Sequence, residues 1–104
     1  MNLKKTFPVK GKLWTLEYKW RLTDDDGNPV DGLCDPANRI IYIDRLLPKE
    51  QKFSTFIHEL FHATFHEAHL GEDGGIDRFA EEVVCSSATD TVLTLFNLRW
   101  KRGL

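Results

Sequence analysis

The sequence is poor in cysteine, in long apolar runs and in charge of one sign, and each shortage removes a class of protein. Two cysteines, Cys34 and Cys85, stand in 104 residues with no C-x-x-C pair. That excludes a disulfide-stapled scaffold and a thiolate zinc cluster, and makes a reduced, cytoplasmic protein the expectation. The opening Met1-Asn2-Leu3-Lys4-Lys5 is not followed by the apolar stretch of a signal peptide, and no run reaches the length of a membrane span. A formal net charge of −2 gives no general attraction for nucleic acid or an anionic membrane. The basic ends, Lys4, Lys5, Lys10 and Lys12 at one and Arg99, Lys101 and Arg102 at the other, read as solvated ends rather than a nucleic-acid surface. There is no internal repeat and no low-complexity segment. What remains is room for a single domain spanning residues 1–104, with a modest core.

Residues 13–22 alternate, with Trp14, Leu16, Tyr18, Trp20 and Leu22 pointing one way and Thr15, Glu17, Lys19 and Arg21 the other. That is the period of a strand with one buried face. Asp24-Asp25-Asp26-Gly27-Asn28-Pro29 and Asp35-Pro36-Ala37-Asn38 are turn chemistry. The acidic triplet lacks the alternating ligands and distant glutamate of a calcium loop. Arg39–Asp44 is a second, β-branched strand, and residues 30–34 are a weaker one. Pro48 suits the opening of a helix, and Phe53, Phe56, Ile57, Leu60, Phe61 and Thr64 share one side of it. The run Gly71-Glu72-Asp73-Gly74-Gly75 should end that helix. A second helix follows over about 76–98, with Ile76, Phe79, Ala80, Val83, Val84, Ser87, Ala88, Thr91 and Leu95 on one face. The expectation is an α+β fold: a small, mainly antiparallel sheet (about 13–44) packed on a helix at about 48–69 and a second at about 76–98.

The first helix carries His58-Glu59-Leu60-Phe61-His62, an H-E-x-x-H run. One turn apart, His58 and His62 can reach one ion, and Glu59 lies where it can act as general base on a water. Catalytic zinc ordinarily takes three protein ligands and leaves one position open. His66 continues the stripe and His69 is near, but on one straight helix His58 and His66 are about 12 Å apart along the axis. His69 is one residue out of register with the metzincin spacing. A carboxylate from the second helix would complete a His₂Glu set. Glu81, at the margin of the apolar face, is the expected ligand, with Glu82 and then Asp77 behind it.

His58-Glu59-Leu60-Phe61-His62-Ala63 followed by Ala80-Glu81-Glu82-Val83-Val84 resembles the small zincin-like metallopeptidases of phages and bacteria, similar to the ImmA/IrrE-type domain. Gly32–Asp35 and Arg39–Asp44 look like the strand region that precedes the motif there, so the resemblance covers about residues 30–98. The second helix departs from the fuller Glu-x-x-Ala-Asn-x-Phe-Ala pattern: after Glu81 the matching positions hold Val84, Cys85, Ser87 and Ala88. The resemblance implies a gluzincin-like, zinc-dependent peptidase with a glutamate ligand on the second helix and a peptide or protein as substrate. The expected mechanism has Zn²⁺ on His58, His62 and Glu81, and Glu59 as base. An extended peptide would add to the edge of strand 39–44, and His66, His69 or Tyr42 would meet the oxyanion. The competing reading is a non-catalytic domain that zinc stabilises for binding a protein partner.

Overall fold

The computed structural model describes residues 4–70 and 75–102, with side chains as far as Phe96. Four strands, β1 (Lys5–Val9), β2 (Lys12–Lys19), β3 (Gly32–Asp35) and β4 (Ile40–Asp44), precede two helices, α1 (Lys49–Glu67) and α2 (Arg78–Arg102). The fold is α+β, with one mostly antiparallel sheet in the order β1-β2-β4-β3. β1–β2 and β3–β4 are hairpins, and β2 and β4 run parallel between them, with Leu16 opposite Ile41 and Tyr18 opposite Ile43.

Strand β1 escapes a pattern-based reading because Pro8 and its lysine neighbours do not look like a strand. It is tolerated because β1 is an edge, where a missing N–H costs little. Its two-residue loop, Lys10 and Gly11, holds φ of 47° and 81°, the double positive φ of a type I′ turn. The parallel pairing and the order also alter an expectation about the substrate. The strand at 39–44 lies inside the sheet, and the edge on that side is β3.

The alternation in β2 holds to the end of the strand, with Tyr18 packing against the core beside Trp14 and Leu16. Trp14 and Leu16 are buried with Val9, Ile41 and Ile43 against Ala63 of α1, while Phe56 and Leu60 close over them. Each fully buried large apolar side chain stabilises by about 1.5–3 kcal/mol. Trp20 lies beyond the strand and is 64% exposed. The buried Trp14 indole is satisfied by donating to Glu67 Oε2 at 2.8 Å, and Arg39 donates to the same oxygen at 2.7 Å. This ties the β3–β4 turn and the sheet to the last turn of α1.

Helix α1 ends within two residues of the expected boundary at 69. Leu70 N–H donates to Phe65 C=O and His69 N–H to His66 C=O, with His69 at φ 57°. This is a Schellman end with a histidine where glycine is usual. The expected stop at Gly71–Gly74 lies outside the described residues.

Helix α2 faces the opposite way from its most apolar stripe. Phe79, Val83, Val84 and Leu95 are exposed, and the inward line is Glu81, Cys85, Ala88 and Thr89. Thr89 Oγ1 donates to the Cys85 carbonyl, so its polar atom is satisfied within the helix. The face that α2 lays on α1 is therefore small and polar, and it brings carboxylates to the histidines.

Candidate metal centre

Helix α1 turns Ala63 toward the sheet and His58 and His62 toward α2. The two imidazoles meet at 3.3 Å between Nε2 atoms. Glu82 spans them, with Oε1 2.7 Å from His58 Nε2 and Oε2 3.0 Å from His62 Nε2. Glu81, one residue earlier, goes elsewhere. Its Oε2 lies 2.5 Å from Nδ1 of His62, on the far side of the ring. Helical spacing points Glu82 away from the apolar stripe of α2, and its side chain is indeed 54% exposed. Its length nevertheless carries the carboxylate back to both rings.

Two groups of side chains bring ligand atoms within 4.8 Å of one another, His58–His62–Glu82 and His62–Glu81–Cys85. Their chemistry differs. In the first, two imidazole nitrogens and a carboxylate stand 2.7–3.3 Å apart. Donors at about 2.0–2.2 Å around a tetrahedral ion stand about 3.3–3.6 Å apart, so the two nitrogens already have that spacing and a small withdrawal of the Glu82 carboxylate would admit a divalent cation. The second needs a thiolate. Burial, followed by the charges of Glu81 and Glu82, pushes the Cys85 thiol up to about 12. The Cys34 thiol is pushed up too, by burial first and then by Glu59 and Glu81. Without a cation beside them both thiols are held protonated, so a set using Cys85 would have to displace a proton that the His58–His62–Glu82 set does not carry on a sulfur.

Glu59 is largely buried, and its carboxylate, which borders the groove, makes no side-chain hydrogen bond to the described residues. Burial raises its pKa, while the imidazoles of His62 and His58 pull it down and Glu82 pushes it up again. A carboxylate held this way accepts a proton more readily than one in water. Its close neighbour is Gly32 on β3. A Cβ built there would lie 2.6 Å from Thr55 Cγ2 and 3.1 Å from Glu59 Cγ, so a glycine allows β3 to run directly over the motif helix. The sequence assigns neither Gly32 nor Cys85 a role in the site, since a glycine opening a short strand and an isolated cysteine carry no functional signal of their own.

The site opens into two adjoining cavities. One, about 590 Å³, is bordered by Cys34, His66, His69, Arg78 and Glu81. The other, about 670 Å³, is bordered by Asp31, Thr55, Ser86, Asp90 and Leu93. Gly32, His58 and Glu59 belong to both, so one groove passes over the motif beside the β3 edge. Of the expected oxyanion donors, His66 and His69 border it. Tyr42 does not: it alternates with the core residues Ile41 and Ile43 and so lies on the other face of the sheet, beneath Lys19. No helix among the described residues is long and apolar enough to cross a membrane.

No curated protein and no solved structure matches the chain. A family model does: Peptidase_M78, the IrrE N-terminal-like domain, matches residues 17–83. That span runs from the middle of β2 through α1 to the second turn of α2 and contains His58, Glu59, His62, Glu81 and Glu82. By this match the chain belongs to the IrrE N-terminal-like domain family of peptidases.

Proposed function

We propose that the chain is a zinc-dependent peptidase in which His58, His62 and Glu82 hold the ion and Glu59 is the general base. This assigns to Glu82 the place that sequence reasoning gave Glu81. The supporting observation is the convergence of both Nε2 atoms on the Glu82 carboxylate beside Glu59, a largely buried side chain that borders the groove. Zinc bound there would polarise the scissile carbonyl and lower the pKa of water.

The chain's own residues supply the rest. Glu59 takes a proton from the attacking water and returns it to the leaving amine, so the carboxylate is regenerated each cycle. Its raised proton affinity suits both transfers. The free edge of β3 offers backbone groups to an extended peptide, which fixes the scissile bond over the motif. His66 and His69, at the groove wall, are placed to donate to the developing oxyanion.

Glu59→Gln separates this reading from a purely structural metal. The variant should keep one zinc per chain by elemental analysis and lose about 10²–10⁴-fold in peptide cleavage. Glu82→Ala should lose the metal itself. A Glu59→Gln chain that cleaves as well as the wild type would sink the proposal.

A further inference from the structure

His62 is gripped from both sides. Its Nε2 faces His58 and Glu82 at 3.3 and 3.0 Å, and its Nδ1 faces Glu81 Oε2 at 2.5 Å. Consecutive residues on a helix diverge by about 100°, so Glu81 and Glu82 straddle the ring and meet opposite nitrogens. The His62 and Glu81 side chains are only 16% and 20% exposed, so little water competes for the contact.

An ionised carboxylate can only accept, so the 2.5 Å Glu81 contact calls for a hydrogen on Nδ1, while the longer 3.0 Å Glu82 contact calls for one on Nε2 until a cation takes its place between them. A neutral imidazole with its hydrogen on Nδ1 carries its lone pair on Nε2, aimed at His58 and Glu82. Glu81 is also separated from His58 in function: the atoms that converge with it are those of His62 and Cys85, whereas those of His58 converge with His62 and Glu82. We propose that Glu81 is a positioning residue. It holds His62 in the Nδ1–H tautomer and fixes the ring plane, so that Nε2 is presented ready to bind. The inference rests on the zinc reading of the site and extends it to the layer behind the ligands, where such carboxylate partners orient metal-binding histidines.

Its test has two independent readouts. The first is zinc affinity, measured by competition with a chelator for the wild type, Glu81→Ala, Glu81→Gln and Glu82→Ala. Glu81→Ala should still take up one zinc per chain but bind it about 10–100-fold more weakly. Glu81→Gln, whose amide oxygen can still accept from Nδ1, should fall between the two. The second is the tautomer of His62 in the zinc-free chain, from long-range ¹H–¹⁵N spectra at about pH 8, above the ordinary imidazole range. The wild type should carry a hydrogen on Nδ1, held by the shorter contact, and Glu81→Ala should shift toward the Nε2–H form, since Glu82 still accepts there. Unchanged affinity and an unchanged tautomer in Glu81→Ala would overturn the proposal. So would complete loss of zinc in Glu81→Ala with retention in Glu82→Ala, which would make Glu81 a ligand. A wild-type chain that takes up no zinc would sink the zinc reading. A tautomer that still collapses in Glu81→Ala would then support the orienting contact by itself.

Discussion

Replacing Gly32 with alanine tests how closely β3 must approach the motif helix. The new methyl would lie 2.6 Å from Thr55 Cγ2, 3.1 Å from Glu59 Cγ and 3.3 Å from Glu59 Oε2. Carbon atoms in contact prefer about 3.5–4.0 Å, so the Thr55 methyl is about 1 Å too close and must move, or the strand must lift. Overpacking of this kind costs about 1–3 kcal/mol. Against that, alanine restricts the unfolded chain and returns about 0.4–1 kcal/mol, since Gly32 does not occupy a left-handed conformation. A net loss of about 1–2 kcal/mol is expected. The cause can be isolated, because Thr55→Ser removes Cγ2 and leaves the hydroxyl. In the Thr55→Ser background Gly32→Ala should cost about 1 kcal/mol less, a coupling of the size seen between touching residues. Urea denaturation of the four proteins of that cycle measures it. A Gly32→Ala chain as stable as the wild type, or a cost identical in both backgrounds, would refute the steric account.

Two further predictions concern stability. Arg39, with the Trp14 indole as second donor, holds the Glu67 carboxyl at about 2, well below its ordinary 4.5. Because the folded-state value is depressed, the stabilisation is complete above pH 4.5 and is lost as pH falls from there toward 2. Urea midpoints should therefore drop across that window by more in the wild type than in Glu67→Gln; equal slopes would contradict the linkage. His69 ends α1 at φ 57°, where a side chain is strained and glycine is not. His69→Gly should be neutral to about 1 kcal/mol more stable, read as a raised melting temperature, and a clear loss would mean that the imidazole does more there than end the helix.

The parts legible in the sequence were those with local causes. The H-E-x-x-H run needs only helical spacing to place two imidazoles together, and β2 and β4 announce themselves through Trp14, Leu16, Ile41 and Ile43. The parts that were not legible depend on partners distant in the chain. That β4 is interior, and β3 the edge above the site, follows from a parallel pairing with β2 that no local pattern encodes. The orientation of α2 is not legible either, because Phe79, Val83 and Leu95 belong to its most apolar stripe, which patterning points inward. The helix instead buries Cys85 and Thr89 and leaves those apolar groups at the surface. The same rotation brought Glu82 into reach, which hydrophobic patterning had pointed away.

The sheet also carries a consequence for how the chain assembles. Each hairpin closes over a short stretch, through Lys10–Gly11 in one and residues 36–39 in the other, and so can form early and independently. The β2–β4 seam joins residues about twenty-five positions apart, such as Leu16 and Ile41, and is the one parallel contact in the described sheet. Every residue that borders the groove comes after β2 in the chain, from Pro29 onward. The first hairpin therefore acts as a lid for the core rather than a wall of the site. Slowing its docking, for instance by weakening the Leu16–Ile41 pair, would delay burial of Trp14 while leaving the histidine helix and its carboxylates to find one another on their own schedule.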